Sequence, residues 1–148
     1  MRISAKGRYA LAALMQIANR KDTAGPVSII SVSEALGVSK LFLEQIAADL
    51  KKGGLITAVK GAKGGYQISR NPSEITALDM LRSVESTLFE TVQNDPLEHV
   101  PVISDALSAL VFTPLDKAIE NSLSGITLQD LLDYTLEHRD SQSYMFYI

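Results

Sequence analysis

With 148 residues, 46% of them apolar and 21% charged, the chain is long enough to bury one core and too apolar to remain disordered. It contains no cysteine, which excludes disulfides, thiolate metal sites and a cysteine nucleophile together. The formal net charge of -3 argues against a nucleic-acid partner, but its distribution reverses the argument. Residues 1–70 carry eleven Lys and Arg against four Asp and Glu, a net of +7, whereas residues 71–148 carry three against thirteen, a net of -10. A basic half joined to an acidic half fits a chain in which only the first half faces phosphate. The plainer alternative is that the asymmetry serves folding or subunit packing alone.

In chain order, Arg2, Lys6 and Arg8 ahead of the apolar stretch Tyr9–Ala18 imitate a secretory signal. Leu11, Leu14, Met15 and Ala18 repeat at helical spacing and Gln16 interrupts the run, so an amphipathic first helix from Lys6 to about Arg20 is the better account. No run reaches the roughly 18 apolar residues of a membrane span, and the expected location is the cytoplasm. A second helix covers about Val32 to Leu36 and stops at Gly37. Ser39 then caps a third helix, in which Leu43, Ile46, Ala47 and Leu50 form an inward stripe that Gly53 and Gly54 end. Leu55–Val59 and Tyr66–Ser69 read as strands of a hairpin around the turn Lys60–Gly65.

After Asn71 and Pro72, Thr76 and Asp79 resemble a capping box opening a helix through Leu78, Leu81 and Val84. Residues 90–101 have no period and read as a loop. A long helical pattern runs from about Val102 to Asn121, with a kink preferred at Pro114 over a fresh helix starting there. Thr127 and Asp130 cap a last helix carrying Leu128, Leu131, Leu132 and Leu136, with His138 and Arg139 placed near its C-terminus to complement the dipole. Asp140–Ser143 is polar, and Tyr144, Met145, Phe146, Tyr147 and Ile148 make an aromatic tail.

Helix, glycine turn, helix and hairpin is the order of a winged helix-turn-helix, whose second helix enters the major groove. With the stripe turned inward, Lys40, Leu41, Glu44 and Gln45 lie on the exposed N-terminal part of the third helix. Gln can pair with adenine, Lys can donate to guanine, Glu can accept from cytosine, and Leu can touch a thymine methyl. Lys60 and Lys63 on the Gly-rich tip suit a phosphate backbone or minor groove. A nucleotide-binding P-loop is not matched, because no Lys followed by Ser or Thr comes after Gly64 and Gly65 and a strand follows. A winged helix that binds protein instead of DNA is the competing reading of this half.

The opening Met1–Tyr9, the run Leu43, Glu44, Gln45 and the wing from Lys60 through Gly64, Gly65 and Tyr66 resemble the Rrf2 family of bacterial regulators over nearly the whole chain. The resemblance adds Arg2, Ser4, Lys6, Arg8, Ser39 and Gly64 to the expected DNA-binding set. The family wing usually begins with Arg; Lys60 stands there without the planar fork, which weighs against minor-groove reading by that residue. Several members hold an iron-sulfur cluster through three cysteines between the fourth and the long helix. The matching segment, roughly Glu90 to Ser104, has none, so no cofactor is expected. His99 reads as a solvated loop residue and His138 as a helix-end residue.

The tail resembles that of the CymR-type branch, which controls cysteine and sulfur metabolism and works with cysteine synthase. That enzyme also captures the C-terminal Ile of serine acetyltransferases. The resemblance therefore implies that Tyr144, Phe146, Tyr147 and Ile148 bind this partner, with Ile148 offering a carboxylate beside an apolar side chain; folding back over the core is the alternative. The resulting expectation is a mainly α protein with a small β-hairpin: a winged helix-turn-helix over 1–72, a helical dimerisation region over 73–139 and a tail over 140–148. Its expected function is that of a homodimeric repressor reading an imperfect palindrome. Alternatives are an interaction module that modulates an enzyme, and a dimeric regulator with a small-effector pocket between domains. No nucleophile, base and orienting group recur at a recognisable spacing, so no enzyme is expected.

Overall fold

The computed structural model describes residues 3–19, 25–90 and 93–145, with 140–145 described by their backbone alone. α1 (Ala5–Ala18) is opened by Ser4, whose hydroxyl accepts from the Gly7 amide, and it buries Ala10, Ala13, Leu14 and Ile17 at i, i+3, i+4, i+7 spacing. α2 (Ile29–Leu36) ends at Gly37, where φ of 65° puts the backbone in the left-handed region that glycine enters without a Cβ clash. α3 (Lys40–Lys52) is capped by the Ser39 hydroxyl accepting from the Phe42 amide at 3.2 Å. Its four buried residues are Leu43, Ile46, Ala47 and Leu50, the stripe expected from spacing.

β1 (Ile56–Val59) and β2 (Gly65–Ile68) pair antiparallel, from Ile56 opposite Ile68 to Val59 opposite Gly65. The hairpin is pinned close to its turn, where Val27 and Tyr66 exchange backbone hydrogen bonds of 2.7 and 2.8 Å. Gly65 permits this approach, since a Cβ there would lie 2.3 Å from the Val27 carbonyl oxygen. The wing is thereby fixed to the strand-like residue that leads into α2.

α4 (Ala77–Val84) begins with the full Thr76 and Asp79 capping box. α5 (Pro101–Leu107), a π turn (Ser108–Phe112) and α6 (Thr113–Ser124) follow, and α7 (Leu128–Met145) ends the described chain. The starts of α4 and α7 lie side by side: Ala77 donates to the Ile126 carbonyl and Leu128 to the Ile75 carbonyl, both at 2.8 Å. Leu128 and Leu132 consequently join the core of α1, α3 and α4, around Leu14, Leu43, Ile46, Ile75 and Met80. Each fully buried Leu or Ile of this kind contributes roughly 1.5–3 kcal/mol. No residue of α5, the π turn or α6 is buried, and this stretch projects from the core until Leu123, near the end of α6, packs against it again.

Several boundaries differ from the sequence reading. α2 starts at Ile29 rather than Val32, because Ser28 caps it by accepting from the Ser31 amide. α1 ends at Ala18 with Asn19 as its cap, and Arg20 lies outside the described residues. β2 is shifted one residue earlier, to Gly65–Ile68. The loop read over 90–101 contains a 3-10 turn, Pro96–His99, capped by Asp95 accepting from the Leu97 amide. The long helix stays helical through Pro114; the adjustment is the π turn, in which the Thr113 amide donates to Ser108 just before the residue that has no N–H. α7 continues past Arg139 to Met145, so His138 and Arg139 are not at its C-terminus and do not complement its dipole there.

α7 opens with its own capping box, Thr127 amide to Asp130 Oδ2 at 2.8 Å and Asp130 amide to Thr127 Oγ1 at 3.0 Å. Donation from the Thr127 amide, and then from its hydroxyl, holds the Asp130 carboxyl below its usual value of 3.8. A depressed carboxyl stabilises the fold fully above that usual value and ceases to do so as pH falls through its lowered folded value. Titrating the Asp130 carboxyl by NMR should show the low value in the wild type and only a partial rise toward 3.8 in Thr127→Ala, which loses the hydroxyl and keeps the backbone amide.

Candidate nucleic-acid interface

α3 is divided lengthwise: the stripe from Leu43 to Leu50 is buried, and Lys40, Leu41, Glu44 and Gln45 are all exposed on the other side. Leu41 is 68% exposed, an apolar side chain with no protein surface to cover it. Lys40 and Glu44 approach to 3.7 Å, an exposed i, i+4 pair of the weak kind that a phosphate or base can displace. Ser39 is also exposed, but its hydroxyl is engaged in capping. Lys51 and Lys52, exposed in the last turn of α3, add positive charge that the sequence reading did not single out.

At the wing tip Lys60 and Lys63 are exposed and in no ion pair among the described residues. Gly64 is half-buried, its amide donating to the Gly61 carbonyl at 3.0 Å, which makes it a former of the turn. The N-terminal set divides. Arg8 is exposed and unpaired among the described residues. Lys6 is paired with Asp49 of α3, and Ser4 donates from its amide and hydroxyl to Glu85 at 2.8 and 2.6 Å. Arg2 lies outside the described residues, as do Phe146, Tyr147 and Ile148, and only the backbone of Tyr144 is described.

Glu85 escaped the sequence reading although a signal was present. It continues the buried stripe Leu78, Leu81 at i+3 and i+7, a place where a charged residue demands a partner. Farther from α3, a cavity of about 270 Å³ lies between α4 and α6, lined by Arg82, Leu88, Phe89, Asp116, Ile119 and Glu120. Arg82 crosses it to Glu120 at 2.7 Å and lies over the Phe89 ring. His99 is exposed, and His138 stacks on Tyr134 with its Nδ1 2.9 Å from the Tyr134 carbonyl oxygen.

Residues 3–134 match the model of the Rrf2 family, described as an iron-dependent transcriptional regulator. The chain belongs to the Rrf2 family. It is 34% identical over the full length of both chains to the HTH-type transcriptional regulator CymR of Bacillus subtilis. Among solved structures, that of the B. subtilis CymR, described as its global cysteine regulator, superposes with a TM-score of 0.70 at 29% identity, covering 91% of this chain and 98% of that one. The IscR of T. potens superposes with a TM-score of 0.72 at 34% identity, covering 99% and 97%. As an Rrf2 protein the chain is a DNA-binding transcription regulator and not an enzyme.

The family's iron finds no thiolate here, since the chain has no cysteine. Nor do the described residues bring together three or more His, Asp or Glu side chains able to hold a metal ion. The residues present therefore do not fit a cysteine-held cluster, and no step in DNA binding is assigned to one. No helix among the described residues is long and apolar enough to cross a membrane.

The exposed residues of α3 and the wing separate in what they should do. Lys63→Ala should weaken binding to every duplex and reduce the salt dependence by about one unit of slope. Gln45→Ala should instead change base preference at one operator position. Salt-titrated fluorescence anisotropy on selected and random duplexes distinguishes them, and an equal loss on both duplexes for Gln45→Ala would remove it from the reading face.

Proposed function

We propose that this Rrf2 protein is a homodimeric repressor that places two copies of α3 in successive major grooves about 34 Å apart, on an imperfect palindrome. The observation that carries this reading is the exposed row Lys40, Leu41, Glu44 and Gln45 backed by a fully buried stripe, with the lysine-tipped wing pinned beside it. Gln45, Glu44, Leu41 and Lys40 read base edges; Lys60, Lys63 and Arg8 hold phosphates. Ser39 and Gly64 serve by fixing the backbone of the helix start and the wing turn. Repression follows from a bound dimer covering its operator, and its place of action is the cytoplasm.

The dimer reading rests on α5 and α6. Val102 is 81% and Leu110 78% exposed, and Ile103, Val111, Phe112 and Leu115 are exposed as well. Apolar surface of that extent on a projecting helix calls for a partner, and a second copy of the same helix supplies one in a twofold arrangement. Leu110→Glu should yield monomers by analytical ultracentrifugation and lower operator affinity by about a hundredfold, because the avidity of two linked half-sites is lost. A dimer that persists would put the seam elsewhere.

Similarity to CymR, described as a global cysteine regulator, supports genes of cysteine metabolism as targets. The partner we propose is cysteine synthase, bound through Tyr144, Phe146, Tyr147 and Ile148, and this rests on the resemblance of the tail sequence alone. Deleting residues 146–148 should abolish capture of cysteine synthase in a surface-plasmon assay and leave operator affinity unchanged. Equal capture by the full and shortened chains would exclude the tail as the docking segment. The cavity between α4 and α6 favours a second reading, in which a small effector bound there acts on the dimer arm.

A further inference from the structure

Glu85 is the one buried ionisable side chain among the described residues, 7% exposed at the end of α4. Its Oε1 accepts both from the Ser4 amide, at 2.8 Å, and from the Ser4 hydroxyl, at 2.6 Å. The same hydroxyl accepts from the Gly7 amide at 3.0 Å, so the carboxylate sits over the first turn of α1, where the helix dipole favours an anion. Gly7 makes the room: a Cβ there would lie 2.2 Å from Glu85 Oε1 and 2.7 Å from the Ile3 side chain.

The end of α1 held in this way reaches α3 through two contacts. Lys6 forms an ion pair with Asp49, and Tyr9 packs edge-on against Phe42, with ring centroids 5.9 Å apart at 85°. Phe42 and Asp49 belong to the helix that presents Lys40, Leu41, Glu44 and Gln45. Burying a carboxylate is a poor way to gain stability alone, because a well-packed apolar contact serves as well or better. What the carboxylate adds is direction. Two donors converge on one oxygen and fix both the axial position and the rotation of the first turn of α1.

We infer that Glu85 is a positioning residue for DNA recognition: through Ser4 and the first turn of α1 it sets the pose of α3 on the duplex, without touching DNA itself. This rests on the reading of α3 as the base-reading helix. It predicts a loss of discrimination between sequences with no loss of general affinity, since a tilted α3 misplaces base contacts while the phosphate-binding lysines remain.

The test uses a duplex selected by the wild-type protein from a randomised pool and a random duplex of equal length. Glu85→Gln and Ser4→Ala should each bind the selected duplex about tenfold more weakly, the equivalent of one lost charge-assisted hydrogen bond, with unchanged salt slope and unchanged affinity for the random duplex. Ser4→Thr, which keeps the hydroxyl, should restore discrimination. Gly7→Ala, which displaces the carboxylate without removing its charge, should reproduce the loss. The double variant Ser4→Ala with Glu85→Gln should be no worse than either single one, as expected for two groups acting through one contact.

Folded variants that discriminate as the wild type does would overturn the role of Glu85, as would equal losses on both duplexes. If the wild-type protein binds its selected duplex no better than random DNA, the assignment of α3 fails first, and that outcome is distinct from both.

Discussion

The pairing of Ile75 and Ala77 with Leu128 and Ile126 closes the chain on itself. Each segment offers its partner one amide and one carbonyl, immediately ahead of a helix opened by a Thr and Asp capping box. The backbone groups left unpaired before the two helices are thus satisfied by each other and by the capping side chains. Because of this joint, Leu128 and Leu132 return to the core formed by the first half, and everything between Glu85 and Gly125 becomes an excursion with both ends anchored. A projecting arm that enters and leaves the core at neighbouring points can carry a force or a displacement back to that core. An arm attached at one end could not.

The electrostatic division of the chain acquires a structural meaning from the same joint. The basic half supplies α3 and the wing, and acidic side chains from both halves are spent on named duties: Asp49 holds Lys6, Glu85 holds Ser4, Asp79 caps α4 and Asp130 caps α7. Positive charge on the candidate DNA-facing side is left largely uncompensated at Arg8, Lys60 and Lys63. Such a surface attracts phosphate at range and leaves discrimination to the few side chains of α3.

Much of this was legible in the sequence wherever one element settled its own geometry. The inward stripe of α3, the glycine stop at Gly37, the hairpin and both Thr and Asp caps were all accessible, because each is a short-range pattern. The start of α2, expected at about Val32, was missed because the Ser28 cap sets it, and the β-branched Ile29 and Ile30 carry no helix signal of their own. Ser4 and Lys6, expected to face DNA, have internal partners at Glu85 and Asp49. Those partners lie 81 and 43 residues away in the chain, a separation across which no periodicity speaks. The length of α7 was hidden because a polar stretch gives no sign of whether a helix continues through it.

The π turn before Pro114 also governs the facing of the arm. In a regular helix each residue advances about 100°, which would carry Leu115 about 120° around the axis from Ile103. A π turn takes up one extra residue without adding that rotation, so Leu115 comes back to within about 20° of Ile103, beside Leu110. Ile119, one turn on, follows it. The register slip thus straightens what would have been a spiralling ribbon of apolar side chains into a single line along the arm, and the proline that forbids a regular hydrogen bond there keeps the slip in place.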